Sequence, residues 1–179
     1  MVTVKAPLWV VIPVLLLTAV AAWEDTRTRK IPNVITGPAL LLGIGAQLLH
    51  GWMVHKGWGG GLLSLVGALV AGAVLLPGWL AKWMGAGDVK LMAAVGAWLG
   101  FPLSFYAVLF TLVAGGAIAV VVALRRGILV RSLRGAALLI PGLAARIGRP
   151  GPPREEPGFY VPFAFAILVG SLFALWRPV

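Results

Sequence analysis

The chain has 179 residues, of which 60% are hydrophobic and 11% charged, and its formal net charge is +10. A soluble domain carries about a quarter charged residues, so this composition excludes an ordinary soluble enzyme and predicts an all-α integral membrane protein. Cysteine is absent, which rules out disulfides, thiolate zinc sites and a cysteine nucleophile; two isolated histidines, His50 and His55, cannot build a histidine-rich metal centre.

Uncharged runs occupy residues 8–23, 34–49, 59–81, 91–124 and 159–176. The first run, preceded by Lys5 and followed by Ala19-Val20-Ala21, imitates a cleavable signal peptide. Cleavage there would export the basic segment Arg27-Thr28-Arg29-Lys30, which the positive-inside rule disfavours, so a retained first span is expected. The fourth run has 34 residues, about 51 Å as a helix and too long for one crossing of a roughly 30 Å hydrocarbon core. Gly100-Phe101-Pro102 supplies the break, because proline disfavours a helical residue before it. Six transmembrane helices in one polytopic domain, residues 1–179, are therefore expected.

Basic residues set the orientation. Arg27, Arg29, Lys30, Lys82, Lys90, Arg125, Arg126, Arg131, Arg134, Arg146, Arg149 and Arg154 fall in connections on one side, against Lys5, Lys56 and Arg177 on the other. The rich side is cytoplasmic by the positive-inside rule, which puts both termini outside. The eight tryptophans lie near run ends, as interfacial anchors do. Charges confined to connections read as topology signals and lipid contacts rather than a nucleic-acid surface. The longest connection, 125–158, is a basic cytoplasmic loop; its stretch 128–140 mixes arginine with leucine and isoleucine and is expected to lie partly in the interface.

Only five residues are acidic: Glu24, Asp25, Asp88, Glu155 and Glu156. Carboxylates at the ends of apolar spans are costly and are functional candidates by default. Asp25 lies in Asp25-Thr26-Arg27-Thr28-Arg29-Lys30-Ile31-Pro32-Asn33, and Asp88 in Gly85-Ala86-Gly87-Asp88-Val89-Lys90. Both fall on the cytoplasmic side of the charge count, so they can meet and share a proton as general base and acid. Asp25 has a plainer reading as a solvated loop acid, and Asp88 one as a helix N-cap. The glycines Gly85 and Gly87 permit a tight entry into the fourth helix, Pro32 fixes a turn, and Asn33 suits the cap of the second helix. Lys90, two residues after Asp88, does not share its helical face and is a poor ion-pair partner. From Asp88 to the Gly100 break is about 18 Å of helix, which recesses Asp88 below the cytoplasmic surface. Glu24, Glu155 and Glu156 are secondary candidates for holding a basic substrate segment. No Gly-x-Ser-x-Gly and no His-Glu-x-x-His occurs, and no metal or cofactor is expected.

These strings, with the late Val161-Pro162-Phe163-Ala164-Phe165-Ala166-Ile167-Leu168-Val169-Gly170, resemble those of type IV prepilin peptidases, membrane aspartic proteases of the GxGD type. The resemblance runs from the end of the first span to the last. It implies catalytic roles for Asp25 and Asp88, with Pro162 among the residues that support the site. The implied substrate is a pilin-like precursor, cut after a glycine at the cytoplasmic face of a bacterial inner membrane. Longer relatives insert a Cys-x-x-Cys domain after the first span and also N-methylate the product. The connection here is too short for that insert, so the resemblance is to the short, monofunctional form of tight-adherence (Flp) pilus systems. A proton-coupled small transporter and a non-enzymatic pilus or secretion assembly factor are the competing readings; leader cleavage separates them from the peptidase.

Overall fold

The computed structural model describes residues 6–28, 30–54, 57–125 and 163–176. Six α-helices occur among them: α1 (Leu8–Thr28), α2 (Asn33–Met53), α3 (Gly59–Leu80), α4 (Ala86–Leu99), α5 (Leu103–Arg125) and α6 (Phe163–Trp176). Helices α1, α2, α3 and α5 are long and apolar enough to cross a membrane, whereas α4 and α6 have 14 residues each. The chain forms two compact units, Met1–Gly115 with Pro162–Val179 and Gly116–Val161. In the second, only the end of α5 is described. The expected interfacial stretch 128–140 lies outside the described residues. Leucines such as Leu8, Leu41, Leu49, Leu62 and Leu69 are well exposed on the helices of the first unit, a surface suited to lipid rather than water.

Helix α1 continues past its apolar run to Thr28, and this carries Asp25 into the helix. No glycine or proline interrupts before Pro32. The Thr26 hydroxyl donates to the Trp23 carbonyl at 2.7 Å, Thr28 donates to Glu24 at 3.1 Å, and the Arg27 guanidinium covers the Trp23 ring. The solvated-loop reading of Asp25 is thereby overturned. A second correction concerns α2. Pro32, extended at φ −65° and ψ 140°, occupies the N-cap position, and Asn33 is already helical with its side chain directed elsewhere.

The short α4 is the centre of the first unit, packing on α1, α2, α3 and α6. Leu91, Met92, Ala94, Val95 and Ala97 are fully buried. The break after Leu99 falls where the sequence places it, with Gly100 at φ +66°, a region that side-chain-bearing residues rarely adopt. A helix ending inside an apolar bundle leaves orphan carbonyls that must find donors. Ser64 of α3 donates to the Ala97 carbonyl at 2.6 Å, and Gln47 of α2 donates to Trp98 at 2.6 Å. The Trp98 indole returns a bond to Ala39, and the Phe101 amide donates to the Leu63 carbonyl. Close approach of α3 and α4 rests on Gly67 and Gly96, each of which lies against the other's backbone carbonyl. Between α5 and α6, Gly170 sits on Thr111, and the Phe110 and Phe173 rings pack 6.0 Å apart.

Candidate active site

The C-terminal end of α1, the N-terminal end of α4 and the N-terminal end of α6 lie together in the first unit. Each contributes to the environment of a carboxylate. Asp25 is 3% exposed and Asp88 8% exposed, burial that is expensive for a charge without compensation. Among the described residues neither is paired with a cation, so neither is half of a structural ion pair. The compensation comes from helix N-termini, whose first N–H groups have no partner within the helix and whose dipole favours an anion.

Asp88 is the third residue of α4, and its Oδ2 accepts the Gly85 backbone N–H at 3.0 Å. The capping role is therefore real, though it is played from the first turn and not from the N-cap, which is Gly85. Asp25 is served by a neighbouring element: the Ala164 N–H at the start of α6 donates to its carboxylate. Its Oδ2 is buried with no hydrogen-bond partner among the described residues. The two aspartates are close enough for the charge of one to act on the other. A buried pair of carboxylates close to one another is an arrangement that holds one proton far more readily than none. Such a pair can take a proton from water and give one to a leaving group.

The flanking motifs converge on the same end. Gly87 lies against the backbone and Cβ of Ile31, so the Lys30–Pro32 turn rests on the first turn of α4; a Cβ on residue 87 would approach Ile31 Cβ to 3.0 Å. Asn33, expected as a cap, instead accepts a hydrogen bond from Lys90 Nζ at 2.9 Å. Lys90 indeed points away from Asp88, as its position two residues on requires. Glu24 is half-buried on α1 beside Asp25 in sequence, while Glu155, Glu156 and Pro162 lie outside the described residues. Ala164 and Lys90 stand in the quoted strings, but their contacts with Asp25 and Asn33 are not legible there. Alanine donates through its backbone and leaves no side-chain signature, and the partner of Lys90 is 57 positions away in the chain. No group of three or more potential metal ligands occurs among the described residues.

The chain is 33% identical over 109 residues to "Prepilin leader peptidase/N-methyltransferase" of Burkholderia pseudomallei, in both strain 1026b and strain K96243. The match covers 54% of this chain and 32% of each relative, so the chain spans only about a third of their length. No solved structure matches it. A sequence model of the Type IV leader peptidase family matches residues 10–120, which take in Asp25, Asp88 and the strings around them, and the chain belongs to that family.

Proposed function

We propose that the protein is a membrane aspartic endopeptidase that removes the basic leader from type IV prepilin-like precursors. The observation that carries this reading is the buried pair Asp25 and Asp88, without a paired cation among the described residues, contributed by separate helices and each facing the first-turn amides of a short one. Family membership and the names of the Burkholderia relatives supply the substrate class.

In the proposed mechanism the pair shares one proton. The ionised aspartate removes a proton from water as its oxygen attacks the scissile carbonyl carbon. The protonated partner donates to the carbonyl oxygen, giving a neutral tetrahedral intermediate. Collapse of that intermediate re-forms the C=O bond and breaks the C–N bond. The proton gained from water passes to the departing amine, and the hydroxyl proton of the intermediate returns to the carboxylate pair. The titration belongs to the pair rather than to either residue. No metal or cofactor enters any step.

The architecture completing this reading is the six-span GxGD form, with α4 and α6 as short spans and the aspartates at the cytoplasmic face of the inner membrane. Both termini are then outside. A single polytopic domain carries the site, and the 125–158 segment is its basic cytoplasmic loop. The chain is monofunctional, since α2 begins at Asn33 directly after the turn that follows α1, leaving no room there for an inserted domain.

Co-expression with a precursor bearing a basic leader, a glycine and an apolar helix gives a product shortened after that glycine and lacking an added methyl group. Mass spectrometry reads both. An uncut precursor rejects the peptidase, and a methylated terminus made by this chain alone rejects the monofunctional form. Orientation has its own check in a protein without native cysteine. A cysteine at Thr28 or Arg149 reacts only with reagents that enter the cytoplasm, and one at His55 is labelled from outside intact cells. External labelling at Thr28 would invert the orientation.

A further inference from the structure

Helix α4 meets the α1–α2 turn at two points on one face. Successive helical residues are rotated by about 100°, so Gly87 and Lys90 lie about 60° apart on α4, while Asp88 lies about 160° from Lys90. At the first point Gly87 admits the Ile31 backbone. At the second, Lys90 Nζ donates to Asn33 Oδ1 at 2.9 Å. Ile31 and Asn33 flank Pro32, whose fixed φ makes the segment between them stiff. The last turn of α1, with Asp25, leads into this segment. A cavity of about 270 Å³ lined by Thr36, Gly37, Leu40 and Ala93 adjoins the bridge, so packing does not back up the hydrogen bond on that side.

We infer that Lys90 is a positioning residue: by holding Asn33 it clamps the α1–α2 turn onto α4 and sets the placement of Asp25 against Asp88. Its side chain leaves α4 on the face away from Asp88 and acts through the turn, not on the reacting peptide. Asn33 is its counterpart. The inference rests on the peptidase reading and gives Lys90, which the sequence shows only as part of the Asp88 string and as a topology charge, a role through Asn33. A misplacement of about 1 Å in catalytic groups costs up to about 10²-fold in rate, and a clamp backed by the Gly87 contact should cost less than that when cut.

The test uses the full chain in detergent with a synthetic precursor of basic leader, glycine and apolar helix, measuring kcat and KM for wild type, Lys90→Met, Asn33→Leu and the double variant. Lys90→Arg and Asn33→Asp, which preserve a donor and an acceptor, serve as rescues. Expected are losses of about tenfold in kcat for Lys90→Met and Asn33→Leu, with KM within about twofold. The double variant is no slower than either single one, because both remove the same bond, and the conservative variants stay near wild type. Unchanged kcat in Lys90→Met at equal folded protein overturns the inference. So does a loss confined to KM, which would put Lys90 on the substrate, and so do additive losses. Failure of wild type to cut the precursor is a different result, and it overturns the peptidase reading instead.

Discussion

Asp25→Asn and Asp88→Asn are each expected to reduce kcat for leader cleavage by about 10²- to 10⁴-fold, the contribution of one positioned acid–base group. Asparagine keeps the size and the acceptor oxygen, so the Gly85 and Ala164 amides retain their partner and α4 and α6 keep their ends satisfied. What is lost is the exchangeable proton. Because the chemistry belongs to a pair, the double variant should be scarcely slower than either single one. Folding should survive, since an amide of the same size replaces a buried carboxyl and removes an ionisable group that is costly to bury. Substantial activity in either single variant, at equal membrane levels, removes that residue from the proposed dyad. An additive double variant would mean two independent functions.

The sequence made the strings legible because each is local. Asp25 with Ile31-Pro32-Asn33, and Gly85 with Gly87 and Asp88, sit within a few residues of one another, and glycine and proline betray the turns that hold them. The break at Gly100 was legible for the same reason, combined with a run too long for one helix. Less visible was everything that depends on which helices touch. Asp25 reads as a loop acid when the apolar run is taken to end at Trp23, yet no glycine or proline stops the helix before Pro32 and it runs on to Thr28. Asn33 has the ideal chemistry for a cap, but tertiary contact with Lys90 competes for its side chain and wins. Ser64 and Gln47 carried no signal at all: a lone serine or glutamine in an apolar span is ambiguous until the orphan carbonyls it serves are located. The site is therefore a sum of short-range motifs aimed by long-range polar contacts, and only the former are spelled out in order.

The largest structural effect is expected at Gly96, where Gly96→Leu should destabilise the protein by at least about 1–3 kcal/mol, the usual penalty of overpacking, and abolish cleavage. A Cβ at this position would run into the Gly67 carbonyl and lie 2.7 Å from Ala71 Cβ. The obstacle is backbone and a short side chain, neither of which can rotate aside. Helix α3 must then move off α4, and the Ser64 bond that closes the α4 C-terminus is strained with it. Because α4 carries Asp88 at its other end, displacement of the helix also shifts one carboxylate against the other. Gly45→Ala provides the control: nothing lies within 4 Å of a Cβ there, and alanine in a helix interior is favoured over glycine by about 1 kcal/mol. Thermal unfolding in detergent, read beside cleavage, separates the two. A Gly96→Leu protein with an unchanged midpoint would show that the α3–α4 contact does not hold α4 in place, and the packing that positions Asp88 would have to come from α1, α2 and α6 alone.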